Sequence, residues 1–326
     1  MRLVFMGTPE FASVSLKRLY DDGYDIAAVF TQPDKPQNRG MILSYSPVKE
    51  LAVERGTPVY QPATLKNNDV ARIIRELGCD LITVVAYGRL LPPDILEIPP
   101  LGCINIHSSL LPAYRGAAPV QWAIINGEKE TGVSSMYMAP AMDAGDVIFT
   151  QKTQIGDDET AGELLERLAP IGAELLSMTV TAVAAGNAVG KPQDYCKATF
   201  APTLSKEISP INWTETAHSI KCKVRGLNPW PVATAEFGGV VFKVFTVKTR
   251  VITDSVISRG VITGGAITGG VTRTPCDSAV KPGTILSAGQ HGIEVACADG
   301  AVIIEDIQAP GGKRMKAADY LRGHKI

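Results

Sequence analysis

Residues 103–119 read CINIHSSLLPAYRGAAP. The apolar, strand-like run CINIH carries Asn105 and His107 two positions apart, then stops in a loop containing two Ser, two Pro and an Arg. Side chains alternate along a strand, so Asn105 and His107 share one face while Ile104 and Ile106 take the other. What that face meets depends on the runs to either side.

Upstream, the apolar runs RLVFMG, DIAAVFTQ, TPVYQP and DLITVVAYG alternate with the helix-length stretches PEFASVSLKRLYDDG and NDVARIIRELG. Downstream come a stretch around PVQWAIIN and then the run VSSMYMA. Short continuous apolar strands separated by helical segments predict an α/β domain, a doubly wound, mostly parallel sheet of Rossmann-like type covered on both faces. The first turn, MGTPEF, has Pro9 placed to open a helix but lacks G-x-G-x-x-G, so the dinucleotide-binding fingerprint is missing. Residues 158–186 repeat apolar positions at helical spacing and end in Gly, as a long helix closing a first domain would.

The pattern then changes. Residues 187–205 lose periodicity and read as a linker. From 206 onward five short runs, TAEFGG, VVFKVFTVK, GTILSA, GIEVACA and AVIIEDIQA, are bounded by Gly, Pro or Asp, which predicts a small OB-like β-barrel. The expected organisation is therefore a catalytic domain 1–186, a linker 187–205 and a β-domain 206–326. Within 251–274 the near-duplicate VITGGAITGG reads as a Gly/Thr-rich hairpin or extended loop.

The chain has 326 residues, 45% hydrophobic and 20% charged, ordinary for a globular protein of two domains. No apolar run approaches the roughly 20 residues of a membrane span, so a cytoplasmic, soluble protein is expected. Six Cys occur without a C-x-x-C pair, which gives no zinc or dithiol signal, and no metal is expected. The net charge of −1 hides an asymmetry: residues 1–205 carry 17 Lys+Arg against 23 Asp+Glu, and residues 206–326 carry 15 against 10. An acidic front joined to a basic back suits chemistry in one part and grip on a polyanion in the other.

In doubly wound sheets ligands sit beyond the carboxyl ends of the strands, where CINIH ends. Asn105 offers an amide donor and His107 a ring that exchanges protons near neutral pH. Either Asp143 or Asp146, in AMDAGDVIFT, can supply the carboxylate that keeps His107 charged and oriented. Ser108 and Ser109 adjoin His107 but lie in no G-x-S-x-G elbow, so direct transfer between two bound substrates fits better than an acyl-enzyme.

The run NIHSSLLPAYRGAAPVQWAIINGEKETGVSSMYMAPAMDAGDVI resembles the signature of the folate-dependent formyltransferases. FMGTPEFA, FTQPDKPQNRG with SPVK, and AYGRLLP extend the likeness, and LSKEISPINW, RGLNPWP and APGGKRMKAADYLRGHKI are similar to the branch that acts on methionyl-tRNA. The resemblance implies transfer of formyl from 10-formyltetrahydrofolate to the α-amine of methionine on initiator methionyl-tRNA, with a small-amine formyltransferase (amino sugar or glycinamide ribonucleotide) as the alternative. It implies Asn105, His107 and Asp143 as the catalytic trio. For the folate it implies Ser109, Leu110, Leu111 and Pro112, with Tyr87, Gly88 and Leu91 in the pterin-lining turn. For tRNA it implies the 34–47 loop, with Arg39 and Lys35, although Met41 and Ile42 stand where two lysines are usual. In the basic domain, Lys206, Lys313 and Arg314 head a set that also includes Lys221, Lys223, Arg225, Lys316 and Arg322. A monomer is expected.

Overall fold

In the computed structural model, residues 1–37, 42–66, 68–251 and 280–326 are described. They fall into two compact units, Met1–Ala123 with Glu128–Thr203, and Ile124–Gly127 with Leu204–Ile326.

The first unit is built on a seven-stranded sheet. Its chain order begins with β1 (Arg2–Gly7), β2 (Asp25–Phe30) and β5 (Val59–Tyr60), and continues with β6 (Leu81–Val85) and β7 (Cys103–His107). Two later strands, β9 (Glu130–Tyr137) and β10 (Val147–Gln154), complete it. The spatial order is β10-β9-β7-β6-β1-β2-β5, parallel from β5 through β7 and antiparallel at β9 and β10. From β1 the chain winds outward to β2 and β5, then returns to the other side of β1 as β6, so β1 and β6 flank the point where the winding reverses.

The strands are apolar on both faces, as a covered sheet requires. Val4, Met6, Ile82 and Val84 pack against Val70, Ala71 and Ile74 of α3 (Asn68–Leu77) and Ile95 of α4 (Pro93–Leu96). On the opposite face α1 (Glu10–Asp21) packs with α6 (Ala161–Ala184). Helix α6 lies within the 158–186 stretch expected from periodicity and starts on a capping box formed by Thr160 and Glu163. Ile106 faces α6 near Gly172, which leaves Asn105 and His107 on the other face of β7.

Two features differ from the sequence expectation. Within the stretch expected as a loop at 34–47, β3 (Lys35–Gln37) pairs antiparallel with β4 (Ile42–Ser44). Arg39 and Met41 lie outside the described residues, as does nearly all of the Gly/Thr-rich stretch. Residues 187–203 are aperiodic but attached: Lys191 bridges Val147, and β11 (Phe200–Ala201) pairs with β8 (Arg115–Gly116).

The second unit is an antiparallel sheet in the order β12-β13-β16-β15-β14, where β12 is Ala233–Phe237, β13 Val240–Val251, β14 Ile285–Gly289, β15 Gly292–Ala296 and β16 Gly300–Gln308. These are the five runs read from the sequence. A helix the sequence reading did not mark, α7 (Ala217–Gly226), packs on β13 and β16. Among the described residues no helix is long and apolar enough to cross a membrane.

Candidate active site

A cavity of about 560 Å³ opens in the first unit at the carboxyl ends of the strands. Its walls come from the turns after β1 (Pro9) and β6 (Ala86 to Leu91), from the end of β7 (Asn105, His107, Ser108) and from the β9–β10 loop (Ala141, Met142, Asp143). This is the crevice where the winding of an open α/β sheet reverses, the ordinary ligand position in such folds.

Asn105 is 9% exposed and His107 6%. Asn105 sits opposite Val84 of β6 and Met136 of β9, so a strand on each side fixes its backbone, and His107 sits opposite Ser134 of β9. The His107 ring is held from behind, with Nε2 lying 2.9 Å from the Tyr114 carbonyl oxygen. A carbonyl only accepts, so Nε2 carries a proton and Nδ1 is the nitrogen left for other partners. Nδ1 faces Asp143 Oδ2 at 3.7 Å, a separation that an ion pair spans and a direct hydrogen bond does not. The Asn105 side-chain amide has no hydrogen-bond partner among the described residues, so its donors remain for whatever enters the cavity.

Asp143 is fixed by other means. Its Oδ2 accepts from the Gly116 backbone N–H at 2.8 Å, and its backbone has φ of 49°. Ala86, at the cavity wall, and Tyr114, which anchors His107, also have positive φ, at 46° and 61°. Left-handed backbone costs a non-glycine residue about 1 kcal/mol or more and persists where surroundings over-determine it. Three such residues cluster at this cavity, and the fourth among the described residues is Val232 of the second unit.

The remaining expected residues divide. Tyr87, Gly88 and Leu91 line the cavity. The Tyr87 carbonyl is held by the Gln32 amide at 3.0 Å, and its hydroxyl is buried without a partner among the described residues. Ser109, Leu110, Leu111 and Pro112 follow Ser108 of the wall in the chain and are outside its lining. Ser109 Oγ donates to the Ala113 carbonyl at 2.6 Å, and Ser134 Oγ bridges the Ser109 carbonyl and the Leu111 N–H. Their short polar groups are spent on shaping the loop that presents Tyr114 to His107. Asp146 is absent from the lining, whereas Asp143 is part of it. Burial pushes the Cys103 thiol up to about 12, so this neighbour of the site packs as an apolar side chain.

The second unit sorts the basic candidates. Lys206, Lys313, Arg314, Lys316 and Arg322 are exposed. Arg314 and Lys316 both pair with Asp306, at 3.3 and 3.0 Å, and the Arg314 guanidinium lies over the Phe245 ring. Arg225 is buried on α7, with its Nη2 against Cys222 Sγ. Lys223 donates to the Pro210 carbonyl at 2.7 Å, and burial lowers its pKa. Arg225 and Lys223 are therefore structural cations, which helical spacing alone did not reveal. Lys35 lies on β3, and no side-chain placement is described for it.

Residues 1–180 match the family described as Formyl transferase, and residues 203–325 match Formyl transferase, C-terminal domain. The chain belongs to the formyl transferase family. It is 43% identical over all 326 residues to the methionyl-tRNA formyltransferase of Acetivibrio thermocellus, covering 97% of that protein. Among solved structures it resembles an N-formyltransferase from Helicobacter canadensis in complex with folinic acid and dTDP-3-aminofucose, with TM-score 0.64 at 15% identity over 93% of this chain and 98% of that one. It also resembles HypX from Aquifex aeolicus in complex with tetrahydrofolic acid, with TM-score 0.60 at 18% identity over 98% of this chain. The chain spans 47% of the length of HypX, and at these identities both likenesses speak for the fold.

Two residues outside the sequence-derived set hold the site together. Gln193 reaches the Asp143 turn from the aperiodic 187–203 stretch, and Arg115 of β8 holds the Gln193 side chain. Neither carries a chemical signature in sequence, because Gln193 acts on backbone carbonyls and Arg115 acts on Gln193.

Proposed function

We propose that this chain transfers the formyl group of 10-formyltetrahydrofolate to the α-amine of methionine carried on initiator tRNA. The observation that carries the reading is the convergence of the unpartnered Asn105 amide, His107 Nδ1 and the Asp143 carboxylate in one cavity at the reversal point of the sheet. The full-length identity to a methionyl-tRNA formyltransferase and the matched C-terminal domain support the acceptor. A cavity of this volume, walled by Phe11, Leu91, Met136 and Met138 with backbone groups between them, suits a flat heteroaromatic ring.

The chemistry follows from the geometry. The amine attacks the formyl carbon, and the carbonyl oxygen gains charge as the centre becomes tetrahedral. Asn105 donates to that oxygen, joined by the Nδ1–H of His107 when the ring is charged; one such donor is worth about 3 kcal/mol of barrier. The bond from the formyl carbon to the folate nitrogen then breaks as the new amide is retained. The proton lost by the amine passes to the leaving nitrogen, with His107 Nδ1 as relay and the Asp143 carboxylate stabilising the imidazolium. Tyr114 fixes the ring so that one nitrogen alone does this work. The basic second unit supplies phosphate contacts, with Lys206 and Lys313 as exposed cations outside any ion pair among the described residues, and Lys35 and Arg39 of the 34–47 stretch add to them.

The test is single-turnover formylation of methionyl-initiator-tRNA by the native chain and by His107→Ala, with tRNA binding measured separately. The expected result is transfer by the native chain and a loss of about 10²–10⁴ in the variant with binding kept. Transfer to a small amine and none to tRNA overturns the assignment of the acceptor.

A further inference from the structure

The Asp143 turn is gripped at two places by adjacent residues. Gly116 N–H holds its carboxylate, and Arg115, through Gln193, holds its backbone. The Gln193 side chain is fully used. Its amide N–H groups donate to the Asp143 carbonyl at 2.9 Å and the Gly145 carbonyl at 2.7 Å. Its Oε1 accepts from Arg115 Nε at 3.1 Å and Nη2 at 2.8 Å. Gln193 is 7% exposed and Arg115 4%, and the outer face of the guanidinium is covered by the Tyr195 ring at 4.7 Å.

Arg115 makes no ion pair among the described residues. Burying a guanidinium without a carboxylate is costly, and its hydrogen bonds here go to a neutral amide. A pairing of this kind polarises the amide: the cation draws charge toward Oε1 and strengthens the two N–H donors on the far side. Those donors meet the carbonyls that flank Ala144, in a turn whose first residue has positive φ. The turn also lies close against β9 at Gly145, where a Cβ would sit 1.7 Å from the Tyr137 carbonyl oxygen.

We infer that Arg115 and Gln193 are positioning residues for the transfer reaction, clamping the Asp143 turn so that its carboxylate stays opposite His107 Nδ1. The clamp rests on the proposed formyl transfer and on the part of Asp143 in it. Gln193→Glu isolates the effect. A glutamate keeps the packing and pairs more strongly with Arg115, yet loses both donors and sets a carboxylate against two carbonyl oxygens. A residue needed only to satisfy Arg115 tolerates that change, whereas a clamp on the turn fails.

The experiment is a double-mutant cycle of Gln193→Glu with Asp143→Asn in the full chain, reading kcat and KM for both substrates beside a thermal midpoint. The expected result is that Gln193→Glu alone lowers kcat by at least about tenfold with both KM values held within about threefold. In the Asp143→Asn background the same change is then expected to cost less than about twofold, because residues acting as one unit are not additive. Equal losses in the two backgrounds, or a loss confined to KM, overturn the clamp. If Gln193→Glu does not fold, Gln193→Met keeps the volume without the donors and enters the same cycle with the same criteria. Failure of the native chain to transfer formyl overturns the proposed function, whereas native activity with undiminished Gln193→Glu overturns the clamp alone.

Discussion

The cavity of the first unit and the basic surface of the second use polar side chains in opposite ways. At the cavity polar groups are held one by one and the Asn105 amide is left over: Tyr114 fixes one nitrogen of His107, Gly116 fixes one oxygen of Asp143, and Gln193 fixes the turn. On the second unit, cations of the same nominal charge are spread between solvent, Asp306 and the interior. Chemistry at one carbon needs atoms held to fractions of an ångström, whereas attraction of a polyanion needs a summed field. Changes at the cavity should therefore act singly and strongly, and changes on the basic surface weakly and together.

The largest effect is expected from Asn105→Ala. Its amide is the donor left over for the substrate, so kcat should fall by about 10²–10³ while KM for tRNA stays near its native value. Steady-state kinetics with separately titrated substrates reads the split. A fall in tRNA affinity with kcat preserved would put Asn105 in binding and dissolve the contrast between the two regions.

Glycines give a structural version of the same contrast. Gly145→Ala sets its methyl 1.7 Å from a backbone oxygen, and the neighbouring turn has no slack. A loss of about 3 kcal/mol or more in stability is expected, read as the midpoint of denaturant unfolding. Gly323→Ala, in the second unit, meets nothing within 4 Å and should change stability by less than about 0.5 kcal/mol. Similar losses at the two positions would mean that the Asp143 turn is no more constrained than the surface.

Much of this was legible in the sequence because it follows from periodicity. The apolar runs gave the parallel strands, helix α6 and the five strands of the second sheet, and CINIH placed Asn105 and His107 on one face. Strand β10, VIFTQKTQ, was missed because it is an edge strand with mostly exposed side chains, so no apolar alternation marks it. Helix α7, AHSIKCKVRG, was missed because three cations interrupt its apolar stripe, and one of them, Arg225, is itself buried. Gln193 left no signal, since its role depends on carbonyls 48 and 50 residues away in the chain.

Asp306 shows a smaller effect with a sign that pH sets. Burial alone would raise its pKa, but hydrogen bonds from Lys316, Thr246 and Arg314 outweigh it and hold the carboxyl below its ordinary value of 3.8. A carboxylate depressed in the folded state contributes stability that is present above the unfolded value and lost as pH falls through the folded one. Asp306→Asn should therefore lower the thermal midpoint at pH 6, with the difference shrinking as pH drops below about 4. A difference that grows toward acid would mean the carboxyl is not the group holding Arg314 and Lys316.

The smallest single effects belong to Lys206→Ala and Lys313→Ala. Both side chains are exposed and neither makes an ion pair among the described residues, so each has charge to offer a phosphate without first leaving an acidic partner. Removing one contact should weaken tRNA binding a few-fold, equally for different tRNA sequences, and reduce the slope of log affinity against log salt by about one. Arg314→Ala tests the opposite case. Its guanidinium serves Asp306 and Phe245, so its removal should cost stability while the salt slope changes by less than at Lys313. If Arg314 instead carries the larger slope, the pairing with Asp306 is a resting arrangement that RNA displaces, and the basic surface is more selective than a summed field.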